Sequence, residues 1–109
     1  MTLKSYTSEV NVKTSSYSDL ISNTGSNPIL IGEIIAVNLD STRNQIYFAT
    51  LVDAVNYLLP NAYVEVNTSS LIIEFKLPLA LKTGEKLQAK LENAGTNGFD
   101  IHVFYCVEE

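Results

Sequence analysis

Short runs in which apolar and polar residues alternate recur along this chain, and turn residues separate them. Leu87, Ala89 and Leu91 lie two positions apart, and so do Val64 and Val66. A period of two places successive side chains on opposite faces of a strand, which distinguishes a half-buried strand from a helix. We therefore predict an all-β chain that folds as a single antiparallel β-sandwich of jelly-roll or immunoglobulin-like type, with about eight strands.

The most apolar segment is residues 29–39, which is rich in β-branched side chains. It contains Gly32, and a glycine inside a strand pattern indicates a bulge or a close approach of backbones. A polar turn follows at residues 40–44, and the apolar pattern resumes at 45–52. We predict that segments 29–39 and 45–52 pair with each other as antiparallel strands.

Residues 50–59 fit two structures. Apolar residues at helical spacing follow Thr50, and Thr50 with Asp53 resembles the capping box at the start of a helix. The alternative is a strand, a turn at 53–56 and a second strand. The density of Tyr, Val and Leu on both sides of the turn favours the second structure.

The segment Thr83-Gly84-Glu85-Lys86 is similar to the linker between zinc fingers, and Lys82 precedes it in a scrambled phosphate-loop order. Zinc needs four ligands, and the chain contains one Cys and one His in total. A phosphate loop requires glycine before Gly-Lys-Ser/Thr and a helix after it. Both interpretations fail, and the alternating residues on either side predict a hairpin in which Gly84 has a positive φ.

Residues 1–27 are rich in Ser and Thr and contain few large apolar side chains. We predict an extended N-terminal arm or edge strands here, and a β-sandwich domain over residues 28–109. Ordering a residue costs about 1–2 kcal/mol, so we expect a neighbouring subunit to help order this segment. Tyr6 and Tyr17 are its candidate partner-contact residues.

Charge and composition restrict the partners. The net charge is −5 and the isoelectric point about 4.7, which argues against nucleic acid as a partner. The lone Cys106 cannot form a disulfide within the chain. No apolar run reaches the roughly 18 residues that span a bilayer, and residues 1–20 lack the apolar segment of a secretory signal. We expect a protein made in a cytoplasm, with no membrane partner.

His102 and Cys106 are the only candidates for a conventional catalytic dyad. On one strand they share a face but lie about 13–14 Å apart, whereas a base must approach its nucleophile to about 3 Å. We predict that the chain is not an enzyme and that Cys106 is a small buried filler. Acidic residues form no cluster suited to a metal, and no motif indicates a cofactor. Six Tyr leave a carbohydrate-binding β-sandwich as an alternative, although such sites usually use Trp and the chain has none.

Several segments together resemble small structural proteins in the virions of tailed bacteriophages, notably cyanophages. They are "ILIGEIIAVNLDST" (29–42), the Tyr-Leu-Leu segment 57–59, "LALKTGEKLQAKL" (79–91) and "FDIHVFYCVEE" (99–109). Cys106 departs from the Ser that is usual near this position in the group.

The resemblance implies a structural protein in the virion, assembled in the host cytoplasm. It implies a capsid decoration or cement protein, or an accessory component of the neck or tail. Its partners would be other virion proteins and further copies of the chain, which implies a homo-oligomer.

Overall fold

The computed structural model describes residues 2–59, 62–64 and 70–109, with residues 62–64 described in their backbone only. Every regular element in this part of the chain is a β-strand, and there are nine. They are β1 (Leu3–Val12), β2 (Ser18–Ser22), β3 (Ile29–Asn38), β4 (Asn44–Val52), β5 (Val55–Leu58), β6 (Ala62–Val64), β7 (Ser70–Leu81), β8 (Lys86–Leu91) and β9 (Phe99–Glu108).

The strands form two antiparallel sheets. The first sheet has the order β1-β9-β3-β7, and the second has the order β2-β8-β4-β5. β6 also pairs with β4, beyond the end of β5, so β5 and β6 occupy successive parts of one edge. Counted as one interrupted strand, they give four strands in each sheet. The all-β sandwich of about eight strands is confirmed, and the strand order is that of a jelly roll.

The core lies between the two sheets and contains the apolar side chains of their inner faces. Its largest buried members include Phe48 of the second sheet and Phe99 and Ile31 of the first. Along β9, Phe99, Ile101 and Val103 are buried while the residues between them are more exposed. The period-two alternation in the sequence therefore corresponds to the division between core and outer faces.

The structure has edge strands within residues 1–27, one of the two forms that the sequence leaves open. β1 pairs with β9 along its whole length without a register shift, and β2 pairs with β8. Val12, Leu20 and Ile21 are buried in the core. The chain thus supplies its own hydrogen-bonding partners for this segment.

Residues 50–59 form a strand, a turn and a strand, as favoured from the sequence. The turn is tighter than expected, because Val52 already pairs with Val55. Asp53 and Ala54 have φ angles of 50° and 63°. Two successive residues at positive φ are typical of the two-residue hairpin turn whose twist matches the flanking strands.

Two predicted strand pairings are wrong. β3 belongs to the first sheet and β4 to the second, so segments 29–39 and 45–52 do not pair. β7 and β8 likewise belong to different sheets, and the segment around Gly84 is a crossing between sheets instead of a hairpin. Alternation shows which side chains share a face, but a short polar connection can either return within one sheet or cross about 10 Å to the other.

The turn at Gly84 keeps the predicted backbone conformation, with a φ of 87°. The amide of Glu85 donates to the Lys82 carbonyl at 3.0 Å, which closes the turn. The amide of Gly84 donates to the Asn23 carbonyl at 2.8 Å, and the amide of Asn23 donates to the Glu85 carbonyl at 3.0 Å. These bonds hold the turn against the end of β2.

We expect Gly84→Ala to lower the free energy of unfolding by about 1 kcal/mol, because an L-residue resists positive φ. Open space surrounds the added Cβ, so the loss would come from the backbone conformation alone. Urea denaturation measures it. Gly32→Ala is the control, because its Cβ would meet only the Phe104 carbonyl at 3.9 Å. Equal unfolding energies for the two variants would contradict the explanation.

We expect Leu20→Ala to lower the free energy of unfolding by about 2–4 kcal/mol, the usual result of truncating a buried leucine. Leu20 is 5% exposed in the core. The control Ser22→Ala, at the exposed end of β2, should change the free energy of unfolding by less than about 0.5 kcal/mol. Guanidinium denaturation of both variants distinguishes an integral strand from a passive arm, since a passive arm would make the Leu20 change equally small.

Candidate protein–protein interface

A groove crosses the outer face of the first sheet at a bulge in β3. Ile31 pairs with Tyr105 of β9 and Glu33 with Phe104, so Gly32 is an extra residue in β3 at this point, as its sequence context predicts. Gly32 has no side chain to cover the sheet here. The resulting groove has a volume of about 620 Å³.

The groove is lined by residues from all four strands of the first sheet. Its apolar side chains include Leu3 of β1, Leu30 of β3, Pro78 of β7 and Phe104 of β9. Leu3 and Phe104 are 58% and 39% exposed. An exposed apolar concavity of this kind is typical of a surface that another molecule covers.

β7, at one side of the groove, is irregular. Ile31 pairs with Leu79 but Glu33 pairs with Glu74, so residues 75–78 of β7 lie opposite the single residue Gly32. Leu77, in this segment, is 84% exposed, the highest exposure among the large apolar residues in the described part of the chain. The irregular segment interrupts the hydrogen-bonding edge of β7, which opposes the addition of a further strand.

Two glutamates occupy opposed positions on neighbouring strands beside the groove. Glu33 lies directly opposite Glu74 of β7 and, on its other side, opposite Phe104 of β9. Directly opposed residues in antiparallel strands have their Cβ atoms about 4.5–5.5 Å apart. Among the described residues, the ion pairs join Lys4 to Glu109, Lys86 to Asp19 and His102 to Glu9, and none of them neutralises this pair.

Tyr6 lies on β1 at the border of the groove, and its pairing with Tyr105 places its ring on the face of the first sheet that carries Ile101 and Val103. Its ring stacks on Tyr105 with centroids 5.5 Å apart, and its hydroxyl donates to both oxygens of the Glu109 carboxylate, at 2.8 and 2.9 Å. The hydrogen bond to Glu109 raises the pKa of the Tyr6 phenol, because the negative carboxylate stabilises the protonated form. These contacts fasten the last residue of the chain to β1.

Tyr17 lies just before β2, in contact with the second sheet, so the structure does not bring it together with Tyr6. The Lys90 ammonium lies over the Tyr17 ring at 4.7 Å from its centroid and over the Tyr47 ring at 5.6 Å. Burial raises the pKa of Tyr17. Because a cation of the same chain lies over these two rings, they do not offer an open stacking platform for a sugar.

A polar network covers the outer face of the second sheet. Gln88 donates to Asp19 at 2.7 Å and accepts from Asn56 at 2.8 Å, while Lys86 binds the other oxygen of Asp19 at 2.9 Å. The hydrogen bonds from Gln88 and Lys86 hold the pKa of Asp19 below its ordinary value of 3.8. The polar side chains of this network therefore satisfy one another.

His102 and Cys106 lie on β9 with separate partners. His102 is 3.4 Å from a carboxylate oxygen of Glu9, and the Cys106 sulfur is 3.5 Å from the Ser5 hydroxyl. Cys106 was predicted to be a buried filler, and this is wrong, because it is half-buried and lines the groove. The alternation along β9 explains the difference, because Val103, Tyr105 and Val107 pack on the core side and Cys106 lies on the other face.

A second cleft, of about 650 Å³, lies at one end of the sandwich between the loops at 39–44 and 93–97. Asp40 accepts from the amides of Asn97 and Gly98, at 2.7 and 3.1 Å. Asn44 donates to the Asn93 carbonyl at 2.7 Å. These polar side chains satisfy the loop backbone and account for the polar turn at 40–44.

No group of three or more His, Cys, Asp or Glu side chains in the described part of the chain could hold a metal ion. No helix in residues 2–59, 62–64 and 70–109 is long and apolar enough to cross a membrane.

Tyr6, at the border of the groove, was predicted from the sequence, whereas Leu77, Phe104 and the opposed pair Glu33 and Glu74 were not. Phe104 carried a signal, because it alternates with buried residues and so had to face outward. The opposition of the two glutamates depends on the strand register, which the sequence does not display.

Comparisons with known proteins identify the fold. No protein-family model matches the chain, and no curated protein matches its sequence. Two of the solved structures that resemble it come from virus particles. A chain of the capsid asymmetric unit of cyanophage Pam1 is 15% identical, with a TM-score of 0.56 over 97% of this chain and 85% of that chain. A chain of the virus-like particle of the Macrobrachium rosenbergii extra small virus is 6% identical, with a TM-score of 0.57 over 99% of this chain and 79% of that chain.

A family 32 CBM from C. perfringens NanJ, solved with galactose, is a weaker match. It is 12% identical with a TM-score of 0.43, over 94% of this chain and 93% of that chain. A score this low carries no argument about sugar binding. The two viral matches show that this chain shares its fold with those two chains.

We expect the Asp19 carboxyl to titrate below 3.8 in the folded protein. A lowered folded-state pKa contributes stability that is fully present above the unfolded value and is lost as the pH falls through the folded value. Carbon-13 NMR titration measures the pKa. In Gln88→Ala it should move back towards 3.8, because the hydrogen bond from Gln88 is its largest cause. An unchanged pKa in this variant would contradict the assignment.

Proposed function

We propose that the chain is a non-enzymatic structural component of a virion that acts through protein–protein contacts. The observation that carries this proposal is the jelly roll, which matches a chain of a cyanophage capsid asymmetric unit over 97% of this chain. The sequence segments that resemble virion proteins of tailed phages point to the same class of protein. These two observations are independent, because one uses backbone geometry and the other uses residue identity.

We further propose that it is a capsid decoration or cement protein, or an accessory component of the neck or tail, in a tailed phage. The Pam1 chain is only slightly longer than the aligned region, since 85% of it is covered. This favours a role for a single small sandwich instead of a multidomain shell protein. The net charge of −5 would also keep the protein from binding a packaged genome.

The contact surface proposed is the groove on the first sheet, with Tyr6 on its border. Leu77 and Phe104 supply exposed apolar area that becomes buried when a partner binds. Tyr17 is proposed as a second contact residue, on the other sheet. Contacts with other virion proteins and with further copies of the chain would together build the assembled state.

The separation of His102 and Cys106, each held by a different partner, supports the proposal that the chain is not an enzyme. A catalytic pair must approach within hydrogen-bond reach. The carbohydrate-binding alternative has no support from a close structural match, and Lys90 lies over the rings of Tyr17 and Tyr47.

The test uses particles of the encoding virus produced without this gene. The purified full chain should sediment with them through a sucrose cushion, and cryo-electron microscopy should show added density at symmetry-related positions. Leu77→Asp should reduce co-sedimentation at least about tenfold, because it places a charge in the buried part of the contact.

The matched control is Thr96→Asp, an exposed change of the same charge in the cleft at the end of the sandwich. It should attach like the parent chain. Circular dichroism confirms that each variant is folded. A specific interface of standard size binds with a dissociation constant below about 100 μM. If the folded parent chain stays in the supernatant at every concentration up to that value, the proposal is wrong.

A further inference from the structure

The opposed carboxylates of Glu33 and Glu74 lie at the border of the apolar groove. Like charges directly opposite each other on neighbouring strands destabilise a sheet. Glu33 itself lines the groove, and the exposed Lys76 follows Glu74 by two residues on β7. A cation placed between the two carboxylates would replace the repulsion with two favourable interactions.

The groove supplies the second half of a recognition surface. Leu30 and Cys106 are paired neighbours on β3 and β9, and Leu3 and Phe104 border them. An extended chain places alternate side chains on one face, so apolar residues could enter the groove while a neighbouring basic residue reaches the glutamates. Apolar contact and opposite charge are then offered to one ligand.

A second copy of this chain fits the surface poorly. A twofold symmetric contact through the groove would bring the same patch of both copies together. It would place the Glu33 and Glu74 carboxylates of the two copies near one another, in a chain that already has a net charge of −5. Charge complementarity therefore favours a different protein.

We propose that the groove with the Glu33–Glu74 pair is a docking site for an extended segment of another protein in which apolar residues alternate with lysine or arginine. This proposal gives the chemistry of the partner that binds the contact surface. That the partner is a virion protein rests on the proposed function. The docking chemistry itself depends only on the groove and the two carboxylates.

The probe is a fluorescent ten-residue peptide that alternates leucine with lysine and ends in glycine. Two matched peptides replace leucine with serine or lysine with glutamate. The full chain should bind the leucine–lysine peptide at least about tenfold more tightly than either matched peptide, measured by fluorescence anisotropy. In proton–nitrogen NMR spectra, the perturbed amides should lie around Gly32, Glu74 and Phe104.

Glu33→Gln and Glu74→Gln should each weaken binding about fivefold, and the loss should shrink as salt is added. Glu92→Gln removes the same charge from an exposed position after β8 and should change binding less than about twofold. Gly32→Leu should abolish binding, because the leucine side chain would fill the groove. The fold should tolerate it, because a Cβ at this position meets only the Phe104 carbonyl at 3.9 Å. Circular dichroism verifies its fold.

A stability measurement distinguishes docking from a structural role. Glu74→Gln should raise the melting temperature by about 1–4 °C, because it relieves the repulsion, while it weakens peptide binding. A lower melting temperature together with unchanged peptide affinity would overturn the proposal. Equal losses of peptide affinity in Glu92→Gln and Glu33→Gln would also overturn it, as would NMR changes elsewhere on the surface.

The outcome is separable from that of the proposed function. Peptide binding in the groove by a chain that does not attach to particles would support the docking site and contradict the virion role. Attachment to particles that Glu33→Gln and Gly32→Leu leave intact would support the virion role and overturn the docking site.

Discussion

The pairing of β9 with both β1 and β3 is the interaction on which the rest of the structure depends. β9 is the last strand of the chain, yet it lies between the first and third strands and joins them into one sheet. Its inward residues Phe99, Ile101 and Val103 form a buried row of the core. Without this strand, β1 would have no sheet partner. The first sheet is therefore complete only when strands distant in the sequence meet, which makes its contacts non-local and its formation slow compared with a meander.

The bulge at Gly32 connects this pairing to the groove on the outer face of the first sheet. The extra residue keeps Ile31 and Ile34 in the core on either side of it, because it restores the inward alternation after the interruption. It simultaneously leaves a gap on the outer face. One irregularity thus satisfies the packing of the interior and creates the concave exterior, which is consistent with the frequent use of bulges next to functional sites.

The edges and faces of the sandwich differ in how they meet solvent. β7 is interrupted opposite Gly32, and the opposite edge of the second sheet is divided between β5 and β6. Both devices limit unspecific strand addition. On the outer face of the second sheet, Gln88 and Asp19 satisfy each other's polar groups. The outer face of the first sheet carries an apolar groove, and the ion pairs found among the described residues include neither Glu33 nor Glu74.

The sequence alone determined the strands, their faces and several local conformations. Period-two alternation identified the strands as half-buried, and Gly84 and Gly32 marked a positive φ and a bulge. These properties depend on the chemistry of one residue and its immediate neighbours. The tertiary structure alone decided that β3 and β4, and likewise β7 and β8, belong to different sheets. It also set the register that opposes Glu33 to Glu74, because pairing joins residues far apart in the chain and depends on how two sheets share one core.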